Sequence, residues 1–258
     1  MSEDDVVDAS AGRCNPNAPL GLPERVFANS SVHETDMALM GDELSAFVIR
    51  DLTVEMSRRT SVDDDFPLPT ATGLGLEALQ GYEGVSPMPD GLTVYLTQSF
   101  STSGALVSYR PMESSPFTSP SFVSVDGAEL VSPRVRLSAD SMTLYWSDPS
   151  RTLHHARRVE GTRDSFANPF VFITVEVTDF AISADELTLY WSLSPGADIY
   201  VSTRTSKGMH FGPGVPVENV NSSSDDVPLF VTRDGCELYF RSNRTPFASI
   251  WVSRRPRQ

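Results

Sequence analysis

The chain has 258 residues, 34 acidic and 20 basic side chains, and a formal net charge of −14. At 40% hydrophobic and 21% charged it is composed like a folded domain and is too apolar for wholesale disorder. The negative charge argues against nucleic acid as the main partner, because phosphate binding needs clustered Lys and Arg. No run approaches the roughly 20 apolar residues of a membrane helix.

Residues 1–13, MSEDDVVDASAGR, are acidic, small and polar. They predict a flexible lead-in over 1–18, followed by one domain over 19–258. The stretch has neither the basic n-region nor the apolar core of a signal peptide, so the chain is either cytoplasmic or given without an upstream export segment. Lysine occurs once, at Lys207, against 19 arginines, a bias with no mechanism at the level of sequence. Cys14 and Cys236 are too few for a disulfide framework or a structural zinc site.

From residue 42 onward the sequence repeats. DELSAF at 42–47, DGLTVY at 90–95, DSMTLY at 140–145, DELTLY at 185–190 and DGCELY at 234–239 superimpose. Their aromatics Phe47, Tyr95, Tyr145, Tyr190 and Tyr239 are spaced 48, 50, 45 and 49 apart. An acidic turn residue followed by a period-2 run ending in an aromatic reads as a turn and then a strand. Arginines 59, 110, 158, 204 and 255 keep step, 12 to 16 residues after each aromatic. A third marker, Phe followed by Pro, begins at Phe66, Phe117, Phe166 and Phe211, and Leu20-Gly21-Leu22-Pro23 stands in for the fifth copy.

Short strands repeated at this period, with no segment of helical apolar spacing, predict the blades of a β-propeller. In the last unit the strands fall near 215–220, 227–232, 236–241 and 248–254. The segment around 24–29 then completes the blade formed by the end of the chain, which removes an open edge. The expected fold is all-β, a single propeller of five four-stranded blades. Six blades is the alternative, for which residues 1–19 are too short and polar. Tyr145-Trp146, Tyr190-Trp191, Tyr200 and Trp251 read as packing between blades, and a sugar-stacking platform would need one of these rings exposed. Ring closure also brings Cys14 close to the blade of Cys236, so a disulfide between them and two free thiols both stay open.

The runs LSADSMTLYWSD at 137–148 and ISADELTLYWSL at 182–193, followed by ADIYVSTR at 197–204, resemble the WD-like β-propeller repeats of TolB-type proteins. The resemblance covers about 20–255. It implies a scaffold that binds a protein or ligand, in a bacterial envelope setting that is often periplasmic or lipid-anchored.

The innermost strands offer Glu34, Asp36, Glu83, Arg134, Arg136, Asp179, Asp225 and Asp226 to the central channel. Of these, Asp36, Glu83, Arg134, Asp179 and Asp226 are the candidate ligand-binding residues. Carboxylates around a funnel suit a polyhydroxylated ligand or a bound cation such as calcium, with no other cofactor expected. The turn aspartates Asp42, Asp90, Asp140, Asp185 and Asp234 recur in every unit and read as structural. The repeated arginines are expected to be structural or solvated, with pairing to carboxylates of neighbouring blades adding little net energy. His33, His154, His155 and His210 form no metal signature, and no nucleophile elbow, P-loop or zinc-helix motif occurs.

The leading functional reading is a non-catalytic binding module engaging a protein, peptide or glycan at the channel mouth and loops. The alternative is a carbohydrate-active enzyme using Asp36, Glu83 and Asp179, since glycoside hydrolysis needs two carboxyls about 5–9.5 Å apart.

Overall fold

A computed structural model describes residues 13–71, 73–76, 81–98, 104–173, 177–193 and 198–257. These residues form an all-β, five-bladed propeller without helices. From the channel outward, blade I holds Glu34–Leu39, Ser45–Arg50 and Thr53–Arg58. Blade II holds Tyr82–Pro87, Thr93–Gln98, Ala105–Tyr109 and Ser121–Phe122. Blade III begins with Arg134–Leu137, Thr143–Ser147, Leu153–Arg158 and Ser165–Ile173. Blade IV holds Asp179–Ile182, Thr188–Ser192, Ile199–Thr203 and Val215–Pro216. Blade V holds Asp226–Val231, Glu237–Ser242 and Ser249–Arg254, with Glu24–Arg25 from the start of the chain as its outer strand.

That outer strand closes the ring, with Glu24 opposite Val252 and Arg25 opposite Trp251. Val26 N–H donates to Ile250 O at 2.9 Å and Gly21 N–H to Arg254 O at 2.9 Å. A Cys14–Cys236 disulfide reinforces the seam, which resolves the open choice between disulfide and free thiols. Arg13 and Cys14, within the expected flexible lead-in, are therefore held to blade V. Residues 1–12 lie outside the described residues.

Two blades depart from four strands. In blade I the outer strand is reduced to one bridge, Met56 opposite Thr70. The segment there, DDDFPLPT at 63–70, carries two prolines that cannot donate to a ladder. Blade III is six-stranded, because a hairpin of Ser124–Val125 and Ala128–Glu129 pairs in parallel with the start of Ser165–Ile173. Asp126 and Gly127, both with positive φ, make its turn.

Hydrophobic clusters fill the interfaces between adjoining blades. The repeated aromatics all pack toward the following blade: Phe47 with Tyr82 and Leu96, Tyr95 with Val135 and Leu144, Tyr145 with Phe180 and Leu189, Tyr190 with Leu238 and Phe240, and Tyr239 with Met37 and Val48. Tyr145, Trp146, Tyr190 and Trp191 are at most 7% exposed, so none of them is a sugar platform, while Tyr200 and Trp251 are half-buried.

The repeated arginines are structural, as expected, but their partners are backbone carbonyls more than neighbouring carboxylates. Each Nε donates to the carbonyl of the residue after the turn aspartate: Arg59 to Glu43, Arg110 to Gly91, Arg158 to Ser141, Arg204 to Glu186 and Arg255 to Gly235, at 2.7–3.0 Å. Those five acceptors all have positive φ. Each Nη1 caps a second carbonyl, of Asp64, Glu113, Arg163, Lys207 and Ala18 in turn. In four blades the guanidinium also lies over the marker phenylalanine, Arg59 on Phe66, Arg110 on Phe117, Arg158 on Phe166 and Arg204 on Phe211, 4.5–4.8 Å from the ring centroid. Each turn aspartate accepts the N–H two residues on at 2.9 Å. A planar fork that bonds two carbonyls, and in four blades also stacks on a ring, is a task lysine cannot perform, which accounts for arginine at these five positions.

Arg110→Lys is expected to lower stability by about 1–3 kcal/mol, from one lost carbonyl bond and a weakened ring contact. Denaturant unfolding measures it. Reduction of Cys14–Cys236 is expected to remove about 2–4 kcal/mol while leaving the β-rich circular dichroism spectrum unchanged.

Candidate functional site

The starts of the inner strands bring a set of charged side chains together across the channel axis. Asp36 of blade I receives two parallel bonds from Arg136 of blade III, both at 2.9 Å. Its oxygens also accept the N–H of Met37 at 2.9 Å and of Val85 at 2.8 Å. Four donors and no acceptor identify the carboxylate form. Arg136 reaches on to Asp179 of blade IV at 3.5 Å, and Arg134 clamps Asp179 at 2.5 Å. Asp36 and Asp179 are 0% and 1% exposed, Arg134 and Arg136 7% and 4%.

Burial pushes the Asp36 carboxyl up, and Arg136 and Arg134 pull against that shift. For Arg134, burial works against the charge, but Asp179 and Asp36 outweigh it and hold the guanidinium above its usual value. Gly84 of blade II makes room for the cluster. A Cβ there would sit 2.3 Å from Thr97 Oγ1, with Arg134 Nη1 and Asp36 Oδ2 at 3.4 and 3.5 Å.

The other candidates are placed differently. Asp226 is buried, paired with Arg244 at 2.6 Å, and bonded to the Ser222 N–H and hydroxyl. It holds the loop that enters blade V. Glu34 accepts the Ile250 N–H at 2.8 Å and ties blade I to blade V, and burial pushes its carboxyl up. Glu83 sits on a bulge between Tyr82 and Gly84 and makes no hydrogen bond or ion pair to a described residue. The structure thus brings Asp36, Arg134 and Asp179 into one cluster and leaves Glu83 unpaired beside it. Asp226 is committed elsewhere. With both central carboxylates neutralised by guanidinium, the cluster does not suit a cation. Among the described residues, no group of three or more metal-ligating side chains occurs.

The cluster divides the channel. On the side where the inner strands end lies a funnel with a cavity volume of about 90 Å³, open to solvent at its mouth. Every blade contributes to its wall, through Ala38, Pro87, Leu137, Ala181 and Leu229 among others, and Arg136 is its floor. At the rim, Glu43 accepts the Arg233 N–H at 2.9 Å, and Arg13 bridges Glu43 and Asp234 at 3.4 and 2.7 Å. Sequence reasoning expected a funnel with carboxylates around it and missed its apolar wall, because those small residues look like any other core positions.

No protein-family profile matches the chain, and no curated protein matches it. Solved structures do. TolB from Acinetobacter baumannii aligns over 96% of this chain and 63% of its own, at 10% identity and a TM-score of 0.52. A gluconolactonase from Xanthomonas campestris aligns over 86% and 72%, at 14% identity and a TM-score of 0.50. Hydrazine synthase from Kuenenia stuttgartiensis aligns over 83% and 58%, at 12% identity, but its TM-score of 0.47 gives it no weight. The chain therefore spans less than two thirds of the TolB and hydrazine synthase chains. At these identities the likeness establishes the propeller fold and nothing finer.

Asp36→Ala leaves the buried Arg136 with only the longer contact to Asp179 as an ion pair and is expected to cost about 3–5 kcal/mol. Replacing Asp36 and Arg136 together with apolar residues of similar volume is expected to recover most of that loss, measured by denaturant unfolding of the two variants side by side.

Proposed function

We propose that the protein is a non-catalytic binding propeller that takes an apolar segment of a protein or peptide partner into the funnel. The observation that carries this reading is a concave apolar pocket walled by all five blades and closed at its base by Arg136. Apolar walls suit side chains of a peptide better than a glycan, which needs exposed rings and free polar groups. The buried aromatics supply neither. The resemblance of the repeats to TolB-type arrays points the same way, and a disulfide at the seam suits an oxidising compartment such as a bacterial periplasm. Among the described residues no helix is long and apolar enough to cross a membrane.

The carbohydrate-active alternative has less support. A glycosidase needs one carboxyl as acid and a second as base or nucleophile. Asp36 and Asp179 are each held by arginine, which leaves only Glu83 free.

Selection of a peptide library on the folded, disulfide-bonded protein tests the proposal. Peptides with apolar anchor residues are expected to emerge and to compete with one another. Ala184→Trp, which fills the funnel from a half-buried wall position, is expected to weaken them by tenfold or more, about 1.4 kcal/mol. Peptides that bind wild type and Ala184→Trp equally would place the site elsewhere.

A further inference from the structure

We propose that the opposite mouth of the channel, where the inner strands begin, is an anion site formed by Arg241 and Arg134 with Glu83 beside them. Its ligand is a carboxylate with an ammonium or other hydrogen-bond donor next to it, as in the zwitterion of an amino acid. The site rests on residues separate from the funnel and stands whether or not the funnel holds a partner.

Arg241 breaks the repeat. Seven residues after the turn aspartates the blades carry Ile49, Thr97, Ser147, Ser192 and Arg241, so four are uncharged. The register fixes the level at which this position meets the channel. Ile49 lies opposite Asp36, Thr97 opposite Gly84, Ser147 opposite Arg134, Ser192 opposite Asp179 and Arg241 opposite Val227. Blade V thus supplies, from its second strand, a guanidinium at the level where the other blades supply Asp36, Arg134 and Asp179.

Three arginines and three carboxylates stand around that level, and Arg241 and Glu83 are the two left without a bonded partner among the described residues. Arg134 and Arg136 already engage both Asp36 and Asp179. Arg241 forms no hydrogen bond or ion pair with a described residue, and none of its nitrogens is among the polar atoms sealed from solvent without a partner. Its guanidinium nitrogens therefore retain contact with solvent. Burial and the neighbouring Arg134 push its pKa down, against Asp179, Asp36 and Glu83, which push it up. A serine, as in blades III and IV, fills the same position without that cost, so a purely structural role does not account for an arginine.

Glu83 sets the class of ligand. It lies within electrostatic reach of both Arg134 and Arg241 and has no bonded partner of its own. One unit of negative charge on the ligand is met by Arg241 and Arg134, but a dianion is opposed by Glu83. Glu83 in turn accepts an N–H or O–H carried next to the ligand carboxylate.

The test is calorimetric titration of the full, disulfide-bonded chain with glycine, acetate and inorganic phosphate at neutral pH, with the arginine side-chain 15N signals followed in parallel. Glycine is expected to saturate, to bind more tightly than acetate or phosphate, and to move the Arg241 Nε–H signal. Arg241→Gln is expected to weaken glycine at least about tenfold while thermal unfolding stays at or above wild type, because an unpaired buried cation has been removed. Arg241→Ser, the residue of blades III and IV, serves the same purpose if Gln fails to fold. Glu83→Gln is expected to weaken glycine toward acetate and leave acetate unchanged or tighter. The absence of saturable binding by any of the three probes, phosphate binding more tightly than glycine, or unchanged glycine affinity in both Arg241 variants would overturn the proposal.

Discussion

Arg136 and Asp36 meet across the channel axis although 100 residues separate them in sequence. They belong to blades that do not adjoin, so the pair forms only when the ring is closed and its circumference is correct. Its contribution to net stability is small, because taking two charges out of water offsets most of their attraction. Its contribution to geometry is larger. Two parallel bonds between planar groups fix both distance and orientation, and Arg136 carries that constraint on to Asp179 in blade IV. The channel is thereby closed at one level, and what remains is a funnel on one side and a charged mouth on the other.

The closed ring that this pair requires is maintained at the seam and in every blade. Glu24–Arg25 supplies the missing outer strand of blade V, and the disulfide and Arg13 hold the preceding segment to the turn of that blade. Within each blade one arginine ties the end of the third strand to the first turn and to the loop beyond. The marker aromatic then packs on the next blade. Local turn chemistry and contact between blades therefore propagate the same geometry around the ring.

Most of the architecture was legible in the sequence because it repeats. Phe47 and its four counterparts recur at near-constant spacing, and the offset between the first and last units revealed that the two ends share a blade. What was not legible has no period. The hairpin at 124–129 is signalled only by Asp126-Gly127, a local turn cue that the count of units absorbed. Asp36, Arg134 and Asp179 could be assigned to the channel, but their mutual neutralisation could not. That outcome depends on the order of blades around an axis, which no spacing along the chain encodes. The role of the repeated arginines was hidden for a related reason: their acceptors are backbone carbonyls, and sequence does not show which carbonyls are free. Arg241 was visible as a break in the aligned units, and only the strand register gives that break a meaning.

The functional account depends on a channel blocked by fixed charges. Nitrogen-15 spectroscopy of the arginine side chains tests that directly, with signals assigned through Arg136→Lys. The account predicts that Arg136 shows four resolved Nη–H signals, because bonds to Asp36 and Asp179 slow rotation about Cζ–Nε and both Cζ–Nη bonds on the spectroscopic timescale. A single averaged signal for Arg136, like that expected of the exposed Arg257, would mean that the cluster is not formed in solution and that the funnel has no fixed floor.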